Sequence, residues 1–282
     1  MDSGGADAPE LLQIHSGQAQ ITVARYGRGG SPSVILLHSG IADHRCWTDV
    51  MSALASDMDL IAYDRRGFGT TTYEAEEHDQ VIDLLAVLDG LGLQRVVLVG
   101  NSMGGQIALS AALACPERVS KLVLVAPAVA GAPVVSEADV TPIEAAIWET
   151  LEAAESAGAL DALNLGEIRL WLDGPTAPEG RVDGDRRALA LEMNRIALQA
   201  ESPGYEPEPP DAWAHLGDLL LPVMVVVGDL DLGHQQQRSR MVAERISGCV
   251  LRVMPGTAHL PAFEQPEEFA AVLQHFLSDP PV

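Results

Sequence analysis

Residues of three kinds in this chain could cooperate in nucleophilic chemistry. Ser102 sits among glycines in Gly100-Asn101-Ser102-Met103-Gly104-Gly105. A serine hydroxyl attacks carbonyl carbon only when a base takes its proton, and the base needs an acid to orient it. Of the eight histidines, His259 alone falls in a loop directly after a late apolar run and before a helical one. Gly228-Asp229-Leu230-Asp231 offers two acids. Asp231 lies farther beyond the preceding apolar run and is better placed to reach a histidine, whereas Asp229 suits support of the turn. Attack on an ester also needs donors for the developing oxyanion. The Met103 N–H directly follows the nucleophile, and Gly40 in Leu37-His38-Ser39-Gly40 is the candidate for the second donor.

These residues do chemistry together only if the chain gathers them. Val96-Val97-Leu98-Val99 reads as a strand buried on both faces, and Gln106 to Leu113 as a helix. Gly-x-Ser-x-Gly between them makes a sharp strand-to-helix turn that holds the serine out at the strand's end. A purely structural turn would use the same glycines, so the other elements carry weight. Leu11–Ile14 and Gln18–Tyr26 read as an edge hairpin. Val34–Leu37, Leu60–Tyr63, Leu122–Val125, Val223–Val227 and Val250–Val253 read as further strands, with helices over 47–56, 81–90, 235–246 and the last segment. That alternation predicts an α/β fold: a mostly parallel twisted sheet with helices on both faces. Ligands in such sheets gather beyond the carboxyl ends of the strands, where loops 38–40, 100–105, 228–231 and 256–259 all fall.

The alternation stops after the sixth strand. Ile143, Ile147, Leu151 and Ala154, then Leu165, Ile168 and Leu172, then Leu189, Met193 and Ile196 mark three helical faces. This divides the chain into a core domain, 1–132 and 211–282, and a helical cap over 133–210. Extra packing helices on the flank of the sheet are the plainer alternative. Ile147, Trp148, Trp171 and Met193 are candidate pocket-lining residues of the cap, and Ile41 and Leu260 flank the site from the core side.

Composition narrows the function. The net charge of −23 opposes binding to nucleic acid or anionic lipid. No run approaches a membrane span, and the acidic start Met1-Asp2-Ser3 lacks the charge of a signal peptide, so the cytoplasm is the expected location. Cys46, Cys115 and Cys249 are few and widely spaced, as expected of reduced thiols and not of a zinc site. No phosphate-binding loop, His-Glu-x-x-His or Gly-x-Gly-x-x-Gly occurs, so neither metal nor cofactor is expected. His38 is read as a hydrogen-bonding support for its loop, and His44 and His234 as surface residues.

The order Ser102, Asp231, His259 resembles the α/β-hydrolase fold superfamily of serine hydrolases. Asp64-Arg65-Arg66-Gly67-Phe68-Gly69, Pro116-Glu117-Arg118-Val119 and His259-x-x-x-x-Glu264-x-Pro266 resemble further landmarks of that family. The likeness runs through nearly the whole chain. It departs at Ser39, where glycine is commoner, and at Thr70-Thr71-Thr72 after Gly69. The resemblance implies a capped esterase or lactonase, similar to enol-lactone hydrolases, acting on a small, largely apolar ester or lactone. Its alternatives are carbon–carbon bond hydrolases of ring-fission diketones and cofactor-free perhydrolases. A ligand-binding receptor with little turnover is the alternative from another class.

Overall fold

The computed structural model describes residues 8–27, 29–134 and 140–278. The acidic start of the chain and residues 135–139, next to the expected edge of the cap, lie outside the described residues. Eight strands form one sheet: β1 (Glu10–Ser16), β2 (Ala19–Tyr26), β3 (Ser33–Leu37), β4 (Asp59–Tyr63), β5 (Val96–Asn101), β6 (Val119–Val125), β7 (Val223–Gly228) and β8 (Val250–Met254). Their order is β1-β2-β4-β3-β5-β6-β7-β8. The hairpin β1–β2 is antiparallel and meets β4 antiparallel; every pairing from β4 to β8 is parallel.

Because successive strand side chains point to opposite faces, each central strand feeds two separate cores. Val34 and Leu36, Val97 and Val99, Val123 and Val125 pack on one face with Trp47, Met51, Phe269 and Leu273. Those partners come from helices α1 (Thr48–Leu54) and α9 (Pro266–Ser278) and the 3₁₀ turn before α1. Ile35, Leu37, Leu98, Leu122 and Leu124 pack on the other face with residues of α2 (Gln80–Gly90), α3 (Met103–Ala114) and α7 (Gly233–Arg245). The expected strands and helices are all present, most of them one to three residues longer at one end.

Between β6 and β7 the chain is helical: α4 (Pro142–Ser156), α5 (Leu160–Ile168), a π-helical turn (Arg169–Asp173) and α6 (Gly184–Gln199). Thr141 and Glu144 form a reciprocal cap at the start of α4, with Pro142 in the first helical position. Ile168, Leu172, Ala190 and Met193 from these helices join the same apolar cluster as Ile41, Leu260 and Phe263. The helical insertion therefore packs against the loops at the carboxyl ends of the strands, and a short α8 (Pro261–Glu264) completes that contact. Among the described residues, no helix is long and apolar enough to cross a membrane.

Candidate active site

Ser102 lies at φ 55°, ψ −113°, a left-handed backbone conformation that non-glycine residues rarely adopt. The neighbouring framework holds it there. The Ser102 N–H donates to the Val125 carbonyl at 2.8 Å, and the Ser102 carbonyl accepts from Gln106 N and Ala128 N, both at 3.0 Å. The flanking glycines are required by proximity. A Cβ on Gly100 would lie 2.2 Å from the Gly104 carbonyl oxygen, and one on Gly104 would lie 2.3 Å from that of Leu37. Any side chain at either position would push the elbow open. Ser102 itself is half-buried at the start of α3, and Met103 beside it is exposed.

The candidate carboxylate and imidazole meet. His259 Nδ1 and Asp231 Oδ2 are 2.8 Å apart, with both side chains almost fully buried. Since a carboxylate only accepts, Nδ1 carries the proton, and Nε2 remains the basic nitrogen. Asp231 Oδ1 accepts from the Leu232 N–H at 2.8 Å, so the carboxylate is oriented at both oxygens. Asp229 has the separate task expected of it: Oδ1 accepts from Gly256 N at 2.7 Å and ties the two loops together.

The loop carrying His259 follows β8, three strands from the elbow, and must reach back across β7 and β6. Gly228 permits the crossing: a Cβ there would fall 2.2 Å from the carbonyls of both Thr257 and Ala258. Asn101, next to Ser102, then donates from Nδ2 to the His259 carbonyl and to the Val125 carbonyl, each at 3.0 Å. The histidine's backbone is thus anchored to the residue that precedes the serine.

Glu264 holds the loop from the other side. Its carboxylate accepts from Ala258 N and Leu260 N at 2.8–3.0 Å, bracketing His259. Arg181, from the helical insertion, pairs with Glu264 at 2.5 Å and donates to the carbonyls of Leu172, Asp173 and Gly256. Burial pushes the Glu264 carboxyl upward, while Arg181 and the two amides pull it down. Asn101, Arg181 and Glu264 were not singled out by sequence reasoning, although the His-x-x-x-x-Glu spacing pointed toward Glu264.

On the opposite side of the elbow, β3 pairs with β5 in a register that sets Leu37 against Gly100, so the loop after β3 lies beside Ser102. A Cβ on Gly40 would come within 2.9 Å of Met103 Sδ, so the Met103 side chain lies against the Gly40 backbone. Among the described residues, no protein group accepts from the Gly40 or Met103 N–H. His38 supports the loop as expected. Its Nε2 accepts from Arg65 N at 3.1 Å, which leaves Nδ1–H to donate to the Ser39 carbonyl at 2.7 Å. Burial, followed by the Arg65 charge, pushes its imidazole down to about 3, so it stays neutral. Ser39 Oγ is buried, without a hydrogen-bond partner among the described residues.

Of the four candidate lining residues, Trp171 is nearest the chemistry. Its ring centroid lies 4.5 Å from that of His259, and its carbonyl accepts the His259 N–H at 3.1 Å. Trp148 meets Trp171 edge-on at 6.1 Å. Ile41 and Leu260 are buried in the cluster shared with the helical insertion, as is Met193. The expectation for His44 needs correction. It is not a surface residue: Nδ1 lies 2.7 Å from Asp64 Oδ1, and its side chain is largely buried. His234 is half-buried too, and burial, ahead of Arg238, lowers its affinity for a proton. The three threonines after Gly69 are bound into the fold: Thr70 N and Thr71 Oγ1 donate to Asp64, and Thr72 pairs with Gln20.

A cavity of about 620 Å³ lies elsewhere, lined by Arg95, Val119 and Pro222 at the amino ends of the parallel strands. It is on the wrong side of the sheet for the serine. Asp43, His44 and Asp64 come close enough to suggest a cation site, but Arg45 already forks onto Asp43, and His44 and Thr70 occupy Asp64. The cluster is a hydrogen-bonded support for the loop after β4.

Known proteins resemble this chain over most of its length. The chain is 28% identical to 2-hydroxymuconate semialdehyde hydrolase of Pseudomonas sp. (strain CF600), over 93% of this chain and 92% of that protein. It is 26% identical to the pimeloyl-[acyl-carrier protein] methyl ester esterase of Aeromonas hydrophila, over 91% of this chain and 99% of that protein. The crystal structure of the enol-lactonase from Burkholderia xenovorans LB400 superposes with a TM-score of 0.75 at 18% identity, covering 96% of this chain and all of that one. The model of the alpha/beta hydrolase family matches residues 34–272, a span that holds the elbow, the acid, the histidine and the helices between them, and the chain belongs to that family.

Proposed function

We propose that this protein is a serine hydrolase that cleaves a carboxylic ester or lactone of a small, largely apolar substrate through an acyl-enzyme. The observation that carries this reading is the buried Asp231–His259 pair, whose backbone Asn101 ties to the elbow bearing Ser102. Ser102 Oγ attacks the carbonyl carbon as His259 Nε2 takes its proton. Asp231 keeps the proton on Nδ1 and stabilises the imidazolium. The Gly40 and Met103 N–H groups receive the oxyanion, and His259 returns the proton to the leaving alkoxide. Water, deprotonated by His259, then releases the acid. The helices of 133–210 act as a cap over the site, with Trp171, Trp148, Ile41 and Leu260 shaping the acyl pocket. No metal or cofactor takes part in this scheme, the substrate is a small molecule, and the three free cysteines suit a protein of the cytoplasm.

The test is hydrolysis of a panel of p-nitrophenyl esters and lactones by wild type and Ser102→Ala. Loss of the hydroxyl is expected to lower kcat by about 10⁴-fold or more. Turnover that survives near the wild-type level refutes the assignment. A second reading has one observation in its favour, the similarity to a 2-hydroxymuconate semialdehyde hydrolase. Adding a vinylogous diketone to the panel separates it: cleavage of the diketone with esters untouched selects carbon–carbon hydrolysis. Fluorophosphonate labelling of Ser102 with no turnover on any substrate selects a receptor.

A further inference from the structure

Arg65 stands out as a buried cation that forms no ion pair among the described residues. Its side chain is buried, with the whole residue 1% exposed, and among the described residues no carboxylate lies within ion-pair distance. Its neighbour Asp64 is directed to His44 and Thr70, and the next residue, Arg66, takes Asp83 and Glu76. Instead, Arg65 Nη2 donates to the Ser39 carbonyl at 2.9 Å, its guanidinium carbon lies 4.3 Å above the Phe68 ring, and Nε has no partner. Burial pushes the guanidinium down to about 10, against the opposing pull of Tyr63, Glu206 and Cys46, so the group remains a cation at neutral pH. A buried charge without a counter-ion is destabilising for a fold.

The group it touches gives the charge a use. Ser39 C=O and Gly40 N–H belong to one peptide unit, and in a trans peptide they point in opposite directions. Two donors, Arg65 Nη2 and His38 Nδ1, converge on the carbonyl end. The plane of that peptide is thereby fixed, and its N–H end is directed away from Arg65. A cation at the carbonyl oxygen also draws electron density along the amide and makes its N–H a stronger donor, an effect magnified where water is excluded.

We propose that Arg65 is a positioning residue of the oxyanion hole, aiming and polarising the Gly40 N–H through the Ser39 carbonyl. This rests on the reading of Gly40 as an oxyanion donor for Ser102. Arg65 touches neither substrate nor nucleophile in this role. Its contribution appears where charge develops on the substrate oxygen, so it acts on kcat and not on ground-state binding.

The experiment compares wild type, Arg65→Met, Arg65→Lys and Ser102→Ala with p-nitrophenyl butyrate. Affinity for an alkyl trifluoromethyl ketone, which adds to a serine as a tetrahedral oxyanion, is measured beside it, together with the rate of fluorophosphonate labelling and Tm. Removing an oxyanion donor outright costs about 10²–10³-fold in kcat, so loosening one predicts a loss of about 10–100-fold in Arg65→Met. KM should stay within twofold, ketone affinity and labelling rate should fall in step with kcat, and Tm should not drop, since a buried unpaired charge has been removed. Arg65→Lys keeps the charge without the planar fork and is expected to lose about 3–10-fold. If Arg65→Met does not fold, Arg65→Lys decides by the same readouts. A kcat and labelling rate within twofold of wild type in the folded variant overturn the proposal, as does a loss confined to KM. Turnover surviving in Ser102→Ala refutes the esterase reading itself, whereas a dead Ser102→Ala beside a normal Arg65→Met refutes only the role of Arg65.

Discussion

The two sides of the serine are organised by opposite charges. Toward β7 and β8, four carboxylates do the holding: Asp231 on His259, Asp229 on Gly256, Glu264 on the amides around His259, and Asp173 on Arg187 and the loop at Gly180. Toward β3, the loop of Gly40 is held by a neutral histidine and an unpaired guanidinium. The division matches the charges that an acyl transfer creates. In the proposed acyl transfer a cation would form on the imidazole beside Asp231, and an anion on the substrate oxygen, with Arg65 behind the Gly40 donor. A preformed field of this kind needs no rearrangement at the moment of reaction.

The comparison breaks most sharply at the anionic side. Asp231→Asn removes the negative charge and permits the wrong imidazole tautomer, so kcat for a p-nitrophenyl ester should fall by about 10³–10⁴-fold with little change in KM. A loss below tenfold would mean that another acid serves His259. Arg65→Met should do less on the cationic side, because it acts through a peptide bond and leaves both donors in place. Farther out, Arg181→Met leaves Glu264 buried without its counter-ion. Arg181 is itself 20% exposed, so the cost to stability in urea should be about 2–3 kcal/mol, below that of a fully buried pair. Equal urea midpoints for the two proteins would show that the amides alone hold Glu264.

The smallest effect tests whether charge in the loop after β4 matters for stability alone. Burial opposes the charged form of both His44 and Asp64, yet their hydrogen bond prevails, raising the His44 imidazole and lowering the Asp64 carboxyl. A raised histidine stabilises the fold below its unfolded value of about 6.5, and that contribution fades as pH climbs through its folded value. A lowered carboxyl contributes above about 4 and fades as pH falls through its folded value. His44→Gln should therefore cost about 1–2 kcal/mol between about pH 4 and 6.5 and less above that window. A cost that does not vary with pH would assign the effect to packing.

The parts of this molecule that follow from local rules were legible in the sequence. β-Branched apolar runs such as Val96–Val99 and Val223–Val227 read as interior strands, and Gly100 and Gly104 mark an approach too close for any side chain. The supports of the site obey no local rule. Arg181 reaches Glu264 across 83 positions, and Asn101 reaches His259 across 158, contacts set by the closing of the fold and invisible to periodicity. Arg65 was hidden for a different reason. Arg65-Arg66 looks like one basic pair, but only Arg66 has carboxylate partners. His44 was misjudged because its partner Asp64 sits at the end of another strand, 20 residues on.

The bond from the His259 amide to the Trp171 carbonyl has a further consequence. The His259 backbone is fastened directly to the helical insertion, so the insertion and the imidazole are not independent modules. Grafting a foreign roof onto this sheet would dislodge the imidazole unless a carbonyl is supplied at the same point, and drift in specificity here would move the rate along with it.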